Sequence, residues 1–241
     1  MPVRSPSRAR THSPSKPPAR RHPQHDPGET RRRLIDAAAE CFAERGFRAT
    51  TIRDVCARAG ANIAAVNYHF AGKLALYREV FRESSAWARE AYPLTGVPSA
   101  DPRADLRRFV HAMIARLTDP GRGARHAKLM AREMVEPTRV LDEIVEGVIR
   151  PHIELLESIV ARLLVPGSTH HSPRVRAAAR AIIAQILLFR NCRAVLERLH
   201  PEDATDAAMA ARAEDIAEFS LAALDGLRAD HLHRPREDAT P

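Results

Sequence analysis

The chain has 241 residues, a formal net charge of +8 and 44% hydrophobic residues. This length allows one larger helical domain or two small ones with a buried core. Ala, Leu, Arg and Glu are abundant and only 5% of the residues are aromatic, which favours helix throughout. Because no uncharged apolar run approaches the roughly 20 residues that span a bilayer, we expect no membrane partner.

The positive charge is concentrated at the N-terminal end. Residues 1–28 carry six Lys or Arg and one Asp, residues 29–80 carry nine basic and six acidic residues, and residues 81–241 are balanced. This asymmetry indicates a polyanionic partner that binds at one end. Seven prolines among residues 1–28 predict a disordered basic arm. The arm either follows a nucleic-acid backbone or binds nothing.

Three cysteines, Cys41, Cys56 and Cys192, are scattered along the chain. They do not have the spacing of a disulfide framework or of a metal site. We therefore expect buried free thiols in a reduced, cytoplasmic protein, without a metal. A redox switch at one of them is the alternative.

Short helices follow the arm. Thr30 is the expected N-cap of a first helix that ends at Gly46, and Thr50 or Thr51 caps a second that ends at Gly60. Asn62 caps a third helix that runs to about residue 69, and a longer one starts near Lys73. We predict a three-helix, helix-turn-helix domain at 29–75, with its motif at about 51–70.

After the break at 93–102, the sequence predicts five more helices and a frayed tail at 229–241. The expected helix bounds are about 103–118, 124–135, 138–165, 173–200 and 206–228. Pro151 lies inside the third of these and is expected to kink it. The predicted fold is therefore all-α, with a larger helical ligand-binding and dimerisation domain at 76–228.

The third helix has two unlike faces. Ala61, Val66 and Phe70 fall on the face expected to pack inward. The outward positions are uncharged at neutral pH where an ordinary surface helix carries Lys and Glu: Ile63, Ala64, Asn67, Tyr68 and His69. Asn can bind adenine through two hydrogen bonds, and Ile or Ala methyls can contact the thymine methyl. The pattern predicts a helix that reads the DNA major groove, and Asn62 at its N-terminus is also expected to contact DNA.

Several residues around this helix are expected to contact phosphate. Thr51 lies at a helix N-terminus, where backbone amides bind anions, and Tyr68 and His69 can donate to phosphate oxygens. Arg31 begins a run of three arginines at the start of the first helix, where the helix dipole disfavours cations. A nearby phosphate would relieve that repulsion; the alternative is that Glu29 and solvent screen it.

The span from about Arg31 to Tyr77 resembles the DNA-binding domain of the TetR family of bacterial transcriptional regulators. The resemblance rests on residues 37–47 (AAAECFAERGF), 50–60 (TTIRDVCARAG) and 68–74 (YHFAGKL). It implies an all-α homodimer that binds a near-palindromic DNA operator. It also implies phosphate contacts from Thr51, Tyr68, His69 and Lys73, and base contacts from Ile63, Ala64 and Asn67. Residues 129–137 and 148–151 are similar to the C-terminal domain of the CecR-like branch.

The helix from Ala177 to Leu199 is apolar on more than one side, so it must bury two faces. We expect one face to meet its own core and the other to meet a second subunit, together with the last helix. The predicted dimer-interface residues are Ile182, Ile186, Phe189, Phe219 and Leu224. The alternative is a central helix of a monomer.

Residues 103–165 combine apolar and methionine side chains with occasional polar groups, a composition that suits an adaptable small-molecule cavity. The residues expected to contact an effector of unknown identity are Phe109, Met113, Met130, Met134 and His152. Each of these residues is equally compatible with an ordinary core position.

The chain has no glycine-rich phosphate loop, no zinc-protease motif and no nucleophile elbow, so we expect neither an enzyme nor a cofactor. The predicted function is a sequence-specific DNA-binding regulator, a repressor that a small molecule releases from a palindromic operator. One alternative is a DNA-binding regulator controlled by redox chemistry or a protein partner. A second is a helical interaction module that does not bind DNA.

Overall fold

The computed structural model describes residues 26–94, 99–164 and 172–233 of the chain. Every regular element in these ranges is helical. The α-helices are α1 Pro27–Ala49, α2 Ile52–Ala59, α3 Ile63–Phe70, α4 Lys73–Ala91, α5 Pro102–Thr118, α6 Arg122–Val135, α7 Leu141–Ile144, α8 Arg150–Leu164, α9 Pro173–Asn191, α10 Arg193–Leu199 and α11 Asp206–His233. A π-helix, Val145–Ile149, joins α7 to α8, and a 3₁₀ turn, Pro201–Ala204, precedes α11. None of these helices is long and apolar enough to cross a membrane.

The first helix begins earlier than the sequence predicts. Asp26, rather than Thr30, is its N-cap and accepts a hydrogen bond from the Gly28 amide at 3.0 Å. The expected stop at Gly46 is present as a local break, because Gly46 adopts φ 79° and ψ 172° inside the helix. Only glycine tolerates this conformation readily, so the break is a property of the sequence.

Two hydrophobic cores organise the chain. The first is formed by α1–α4 and by residues of α6 and α7, and includes Leu34, Phe42, Val66, Tyr77 and Leu129. The second is formed mainly by α5, α8, α9 and α11; its fully buried residues include Leu106, Leu156, Ile186 and Leu221. The first core therefore extends from α1–α3 through α4 to α6 and α7.

Two consecutive residues of α6 connect this helix to α1, to α4 and to the segment before α7. Arg132 donates hydrogen bonds to the carbonyl oxygens of Ala43, at 2.9 Å, and Glu44, near the break in α1. Glu133 is fully buried and accepts from the Tyr77 hydroxyl of α4 at 2.7 Å. It also accepts from the Thr138 amide at 2.8 Å and the Thr138 hydroxyl at 2.9 Å, just before α7. One carboxylate thus fixes α4 and the segment leading into α7.

The irregularity expected at Pro151 takes the form of the π-helix. A proline ring crowds the carbonyl four residues before it, which here belongs to Gly147. The widened turn relieves that crowding, and the Arg150 amide donates to the Val145 carbonyl five residues back. The predicted single helix over 138–165 is consequently divided into α7, the π-helix and α8.

The last predicted helices also differ in extent. The helix expected over 173–200 is divided at Cys192 into α9 and α10. The final helix continues to His233, beyond its expected end at 228. It is held against α5 by ion pairs, including Arg103 with Asp225 at 2.9 Å and Arg107 with Glu214 at 2.9 Å.

A buried cationic cluster lies where α4, α5, α6 and α8 meet. Arg116 is 4% exposed and donates to the carbonyls of Ala88, at 2.9 Å, and Tyr92, at 2.7 Å, and to His152 Nε2 at 3.3 Å. His126 Nδ1 lies 2.8 Å from a serine hydroxyl of α4. Burial, together with the Arg116 charge, lowers the pKa of both His126 and His152 to about 4.

The first testable consequence concerns Glu133. Its replacement by Ala leaves the Tyr77 hydroxyl and the Thr138 amide without acceptors, so we expect a loss of about 4 kcal/mol in the free energy of unfolding. Tyr77→Phe removes one of three hydrogen bonds to the carboxylate and should cost about 2 kcal/mol. Urea unfolding at fixed protein concentration measures both changes.

The matched control is Tyr92→Phe. Its hydroxyl donates to Asp119 at 2.9 Å in a partly exposed position, so the expected loss is below about 1 kcal/mol. Equal losses from the two Tyr→Phe changes would contradict a special role for the Glu133 carboxylate.

The second consequence concerns pH. The pKa of His126 and of His152 is about 4 in the folded protein, below the ordinary 6.5. At pH values between these two numbers, the unfolded chain therefore binds more protons than the folded protein does. The free energy of unfolding should therefore fall as the pH is lowered from 7 to 5. Both His126→Gln and His152→Gln should flatten this slope in urea unfolding series, whereas the exposed His200→Gln should not. An unchanged slope in both buried variants would refute the assignment.

Candidate nucleic-acid interface

The N-terminus of α2 is closed by a capping box between Thr51 and Asp54. The Asp54 amide donates to the Thr51 hydroxyl at 3.2 Å, and the Thr51 amide donates to the Asp54 carboxylate at 2.8 Å. These hydrogen bonds hold the pKa of Asp54 below its usual value. The Thr51 hydroxyl itself donates to Asp54 at 2.7 Å, so in the free protein this predicted phosphate ligand acts as a cap.

A tight turn positions α3 after α2. Gly60 adopts the left-handed conformation, with φ 61°, and ends α2. Asn62 then caps α3 by accepting a hydrogen bond from the Ala65 amide at 2.9 Å. The side chain of Asn62 is thereby committed to starting the helix, as the sequence predicts.

The faces of α3 match the expected pattern. Val66 and Phe70 are buried, and Ala61 packs on the same core. The exposed residues form what we call the outer face of α3: Asn62, Ile63, Ala64, Asn67 and Tyr68. Ile63 is 44% exposed and Tyr68 is 80% exposed, whereas His69 is half-buried against Tyr68 and Phe70.

The outer face can enter a groove. It carries no charged side chain, and the side-chain amide of Asn67 has no hydrogen-bond partner among the described residues. An α-helix with its side chains is about 10–12 Å across, which matches the width of the major groove. A free amide beside apolar side chains offers both hydrogen bonding and methyl contact to base edges.

Lys73 begins α4 beside this face. Its ammonium donates to the Arg48 carbonyl at 3.3 Å and lies 4.5 Å from the centre of the Phe47 ring. Partial burial lowers the pKa of Lys73. An ammonium has three donors, so it can bind a phosphate while still holding α4 to the end of α1.

The structure corrects the interpretation of Arg31. Its guanidinium pairs with Glu79 and, at 3.0 Å, with Glu83, both on α4, and lies 5.5 Å from the centre of the Phe70 ring. Because α1 begins at Pro27, Arg31 is also outside the first turn. The charge is compensated within the protein, and no phosphate is needed to relieve a repulsion.

Two cations were missed by the sequence reasoning. Arg48 and Arg53 are exposed on either side of Thr51, and neither has an ion-pair partner among the described residues. By contrast, Arg58 on the same helix α2 pairs with Glu44 at 3.0 Å and Glu40 at 3.5 Å. The outward position of Arg53 on α2 was a usable signal. The basic arm itself, up to residue 25, lies outside the described residues.

Two family models match the chain in succession. The model for bacterial regulatory proteins of the tetR family matches residues 34–80. The model for the C-terminal domain of the HTH-type transcriptional dual regulator CecR matches residues 102–224, which is more than half of the chain. The chain belongs to the TetR family. Its C-terminal domain is of the CecR type, as the sequence predicts.

Relatives agree with this assignment. The chain is 34% identical over 179 residues to the HTH-type transcriptional dual regulator CecR of Shigella flexneri, covering 67% of this chain and 76% of that protein. It is 38% identical over 61 residues to the HTH-type transcriptional repressor KstR2 of Mycolicibacterium smegmatis, covering 25% of this chain and 30% of the relative. The protein is a DNA-binding transcriptional regulator, and its family and relatives are regulators rather than enzymes.

Solved structures share the fold. The hemolysin II transcriptional regulator HlyIIR aligns with a TM-score of 0.60 and 20% identity, over 82% of this chain and 98% of that one. The fatty acid degradation regulator FadR of Bacillus halodurans aligns with a TM-score of 0.57 and 16% identity, over 80% and 94% of the two chains. These alignments confirm the all-α architecture with an N-terminal helix-turn-helix domain and a larger helical domain.

The residues predicted to contact an effector are not brought together. Phe109 is buried in the second core and Met113 packs against that core. Met130 packs against the first core, Met134 is 52% exposed, and His152 belongs to the Arg116 cluster. Within the described ranges, no cluster of acidic, His or Cys side chains is placed to hold a metal ion.

Three predicted dimer residues also lie elsewhere. Ile182, Ile186 and Leu224 are buried in the second core of the chain itself, because α9 and α11 each turn an apolar face inward. Only Phe219, at 66% exposure, is on the surface as predicted, and the side chain of Phe189 is outside the described set. The exposed positions of α9 include four apolar residues around Arg180: Ala181, Ala184, Leu187 and Leu188.

Proposed function

We propose that the protein is a homodimeric repressor that binds a near-palindromic operator through the outer face of α3 and is released by a small-molecule effector. The uncharged outer face of α3, with the free amide of Asn67, carries the DNA-reading part of this proposal. Arg48, Arg53 and Lys73 surround it and would bind phosphates. The KstR2 relative is a repressor, which favours repression. Such a regulator would act in the bacterial cytoplasm.

Surface chemistry supports the homodimer. The exposed side of α9 carries Ala181, Ala184, Leu187 and Leu188 around Arg180. That of α11 presents Phe219 beside Ala222, Ala223 and Gly226, with Asp215 one turn before. Small residues let helices approach closely, and two copies related by a two-fold axis would bury both faces. We assign the interface to these exposed positions in place of Ile182, Ile186 and Leu224.

A redox-controlled regulator is less well supported. Cys41 and Cys56 are buried, and burial raises the pKa of the Cys56 thiol. A buried thiol with a raised pKa forms little of the thiolate that oxidants attack. Helices α1 and α2, which carry Cys41 and Cys56, consequently offer a poor sensor of oxidation.

The DNA-reading part is tested at Asn67 and Tyr68. An operator is first selected from random DNA with the purified protein, and its affinity is measured by fluorescence anisotropy at fixed salt. The double variant Asn67→Ala/Tyr68→Ala should lose at least about 100-fold in operator affinity while non-specific binding remains, because phosphate contacts supply the latter.

Arg58→Gln is the matched control, since its partners are Glu40 and Glu44 on α1, and it should bind as the wild type. Operator affinity unchanged in the double variant would refute the role of α3. Repression is tested by in vitro transcription from a promoter overlapping the selected operator, where added protein should lower transcript yield.

The dimer is tested at Phe219. Burying a phenylalanine contributes about 1.5–3 kcal/mol, and two-fold symmetry counts it twice. Phe219→Glu should therefore raise the dimer dissociation constant at least about 100-fold by analytical ultracentrifugation. Val135→Glu, at an equally apolar position that is 80% exposed on α6, should leave it unchanged. A wild-type protein that sediments as a monomer would refute the homodimer.

A further inference from the structure

A cleft of about 320 Å³ lies between α4 and the segment formed by α7 and the π-helix. We call it the α4–α7 cleft. Its apolar lining comes from Phe81 on α4 and from Val140, Ile144 and Val148 opposite. This volume is at the lower end of the range of about 300–1,000 Å³ that is usual for small-molecule sites. None of the predicted effector residues lines it.

One end of the cleft has polar groups without partners. Ser85 is 3% exposed, lines the cleft, and has no hydrogen-bond partner for its hydroxyl. Four residues further along the same face of α4, Arg89 also lines the cleft. It has no ion-pair partner among the described residues. A buried hydroxyl without a hydrogen-bond partner costs free energy. A ligand group that hydrogen-bonds to Ser85 would remove that cost.

The other arginines of the cleft differ from Arg89. Arg78 binds Glu143 across the cleft, with distances of 2.8 and 2.6 Å to the two carboxylate oxygens. Arg82 binds Glu79 of α4 through two hydrogen bonds of 2.8 and 2.7 Å. Their charges are balanced within the protein, whereas that of Arg89 is available to an incoming anion.

A second positive charge near Arg89, on Arg116, makes anion binding there more favourable. Arg116, buried nearby, donates to carbonyl oxygens and to His152 and has no carboxylate partner among the described residues. Burial, and then the charge of Arg89, lower the pKa of Arg116 to about 10. An anion bound to Arg89 would reduce this repulsion between two like charges.

We propose that the α4–α7 cleft binds a small amphipathic organic anion, with its carboxylate on Arg89 and Ser85 and its apolar body against Phe81, Ile144 and Val148. This inference rests on the ligand-responsive regulator proposed above and names the site and chemical class of its effector.

The position of the cleft connects it to α3. Glu133 holds both walls, through Tyr77 on α4 and Thr138 before α7. The same helix α4 begins at Lys73 and packs against α3. A ligand that spreads the walls shifts α4 and, with it, α3 in each subunit. Differential affinity for the two arrangements of the dimer then lowers operator affinity.

The π-helix makes the opposite wall adjustable. In its widened turn the backbone amide donates to the carbonyl five residues back instead of four, and a shift of this hydrogen bond would restore regular α-helix. Such π segments are frequent at functional sites. Gly147, inside it, lines the cleft, and a Cβ added there would meet nothing within 4 Å. A side chain at Gly147 therefore meets no backbone clash, and a long one can reach into the cleft that Gly147 lines.

The test uses octanoate as the probe and octan-1-ol as its uncharged counterpart, with full-length protein in isothermal titration calorimetry. Octanoate should bind once per chain, and octan-1-ol at least about fivefold more weakly. Arg89→Gln should weaken octanoate about fivefold, the ratio that an exposed ion pair of about 1 kcal/mol gives, and leave octan-1-ol unchanged. Arg228→Gln, at an exposed arginine of α11 that does not line the cleft, is the charge control and should bind octanoate as the wild type.

Occlusion locates the site independently of charge. Gly147→Leu should reduce octanoate affinity at least about tenfold, whereas Gly147→Ala should keep most of it. Far-ultraviolet circular dichroism and operator binding show that each variant is folded. Octanoate that does not bind the wild type, or binds Gly147→Leu and Arg89→Gln unchanged, overturns the inference.

Operator release separates this inference from the proposed function. Octanoate that binds the cleft and displaces operator DNA from the wild type, but not from Gly147→Leu, supports both. Octanoate that binds the cleft without displacing DNA supports the site and refutes release by this class of ligand. If the unliganded wild type selects no operator, the proposed regulatory function fails but the proposed ligand site does not, because cleft binding is measured without DNA.

Discussion

The buried carboxylate of Glu133 is the constraint that holds α4, α6 and the segment before α7 together around the first core. A fully buried acidic group is tolerated only when its oxygens accept enough hydrogen bonds, and here a tyrosine of α4 and a threonine before α7 supply them. Arg132, its neighbour, ties α6 to the end of α1 in the same way. Two adjacent residues thereby fix the helices that support α3 against the larger domain.

Electrostatic pairing divides the arginines of the N-terminal helices into two groups. Arg31 and Arg58 are balanced by glutamates of neighbouring helices and stabilise the packing. Arg48 and Arg53 have no such partner among the described residues and stand beside the uncharged outer face of α3. Since unbalanced surface cations attract a polyanion at little cost, Arg48 and Arg53 support the DNA-binding role proposed for the outer face of α3.

The proposed dimer surface and the α4–α7 cleft lie on different elements, and both touch the internal cores. The exposed sides of α9 and α11 lie opposite the faces that pack in the second core, so dimerisation would stiffen that core. The cleft lies where the first core meets α7, next to the Glu133 hydrogen bonds. A ligand there would act on the support of α3 from a site distinct from the DNA-reading face, and allosteric coupling requires two such distinct sites.

The sequence by itself determined the short helices and their caps. Thr51, Gly60 and Asn62 act locally, through side-chain hydrogen bonds and backbone conformation, so their spacing predicted α2, α3 and the two faces of α3. Tertiary structure alone decided the partners of Arg31, the inward position of Ile182, Ile186 and Leu224, and the separation of Phe109 from Met134. These depend on which helix packs against which face, and a helix with two apolar faces, such as α9, does not reveal which one is the core. The pairing of Tyr77 with Glu133 and the α4–α7 cleft have the same origin, because each brings together residues more than 50 positions apart.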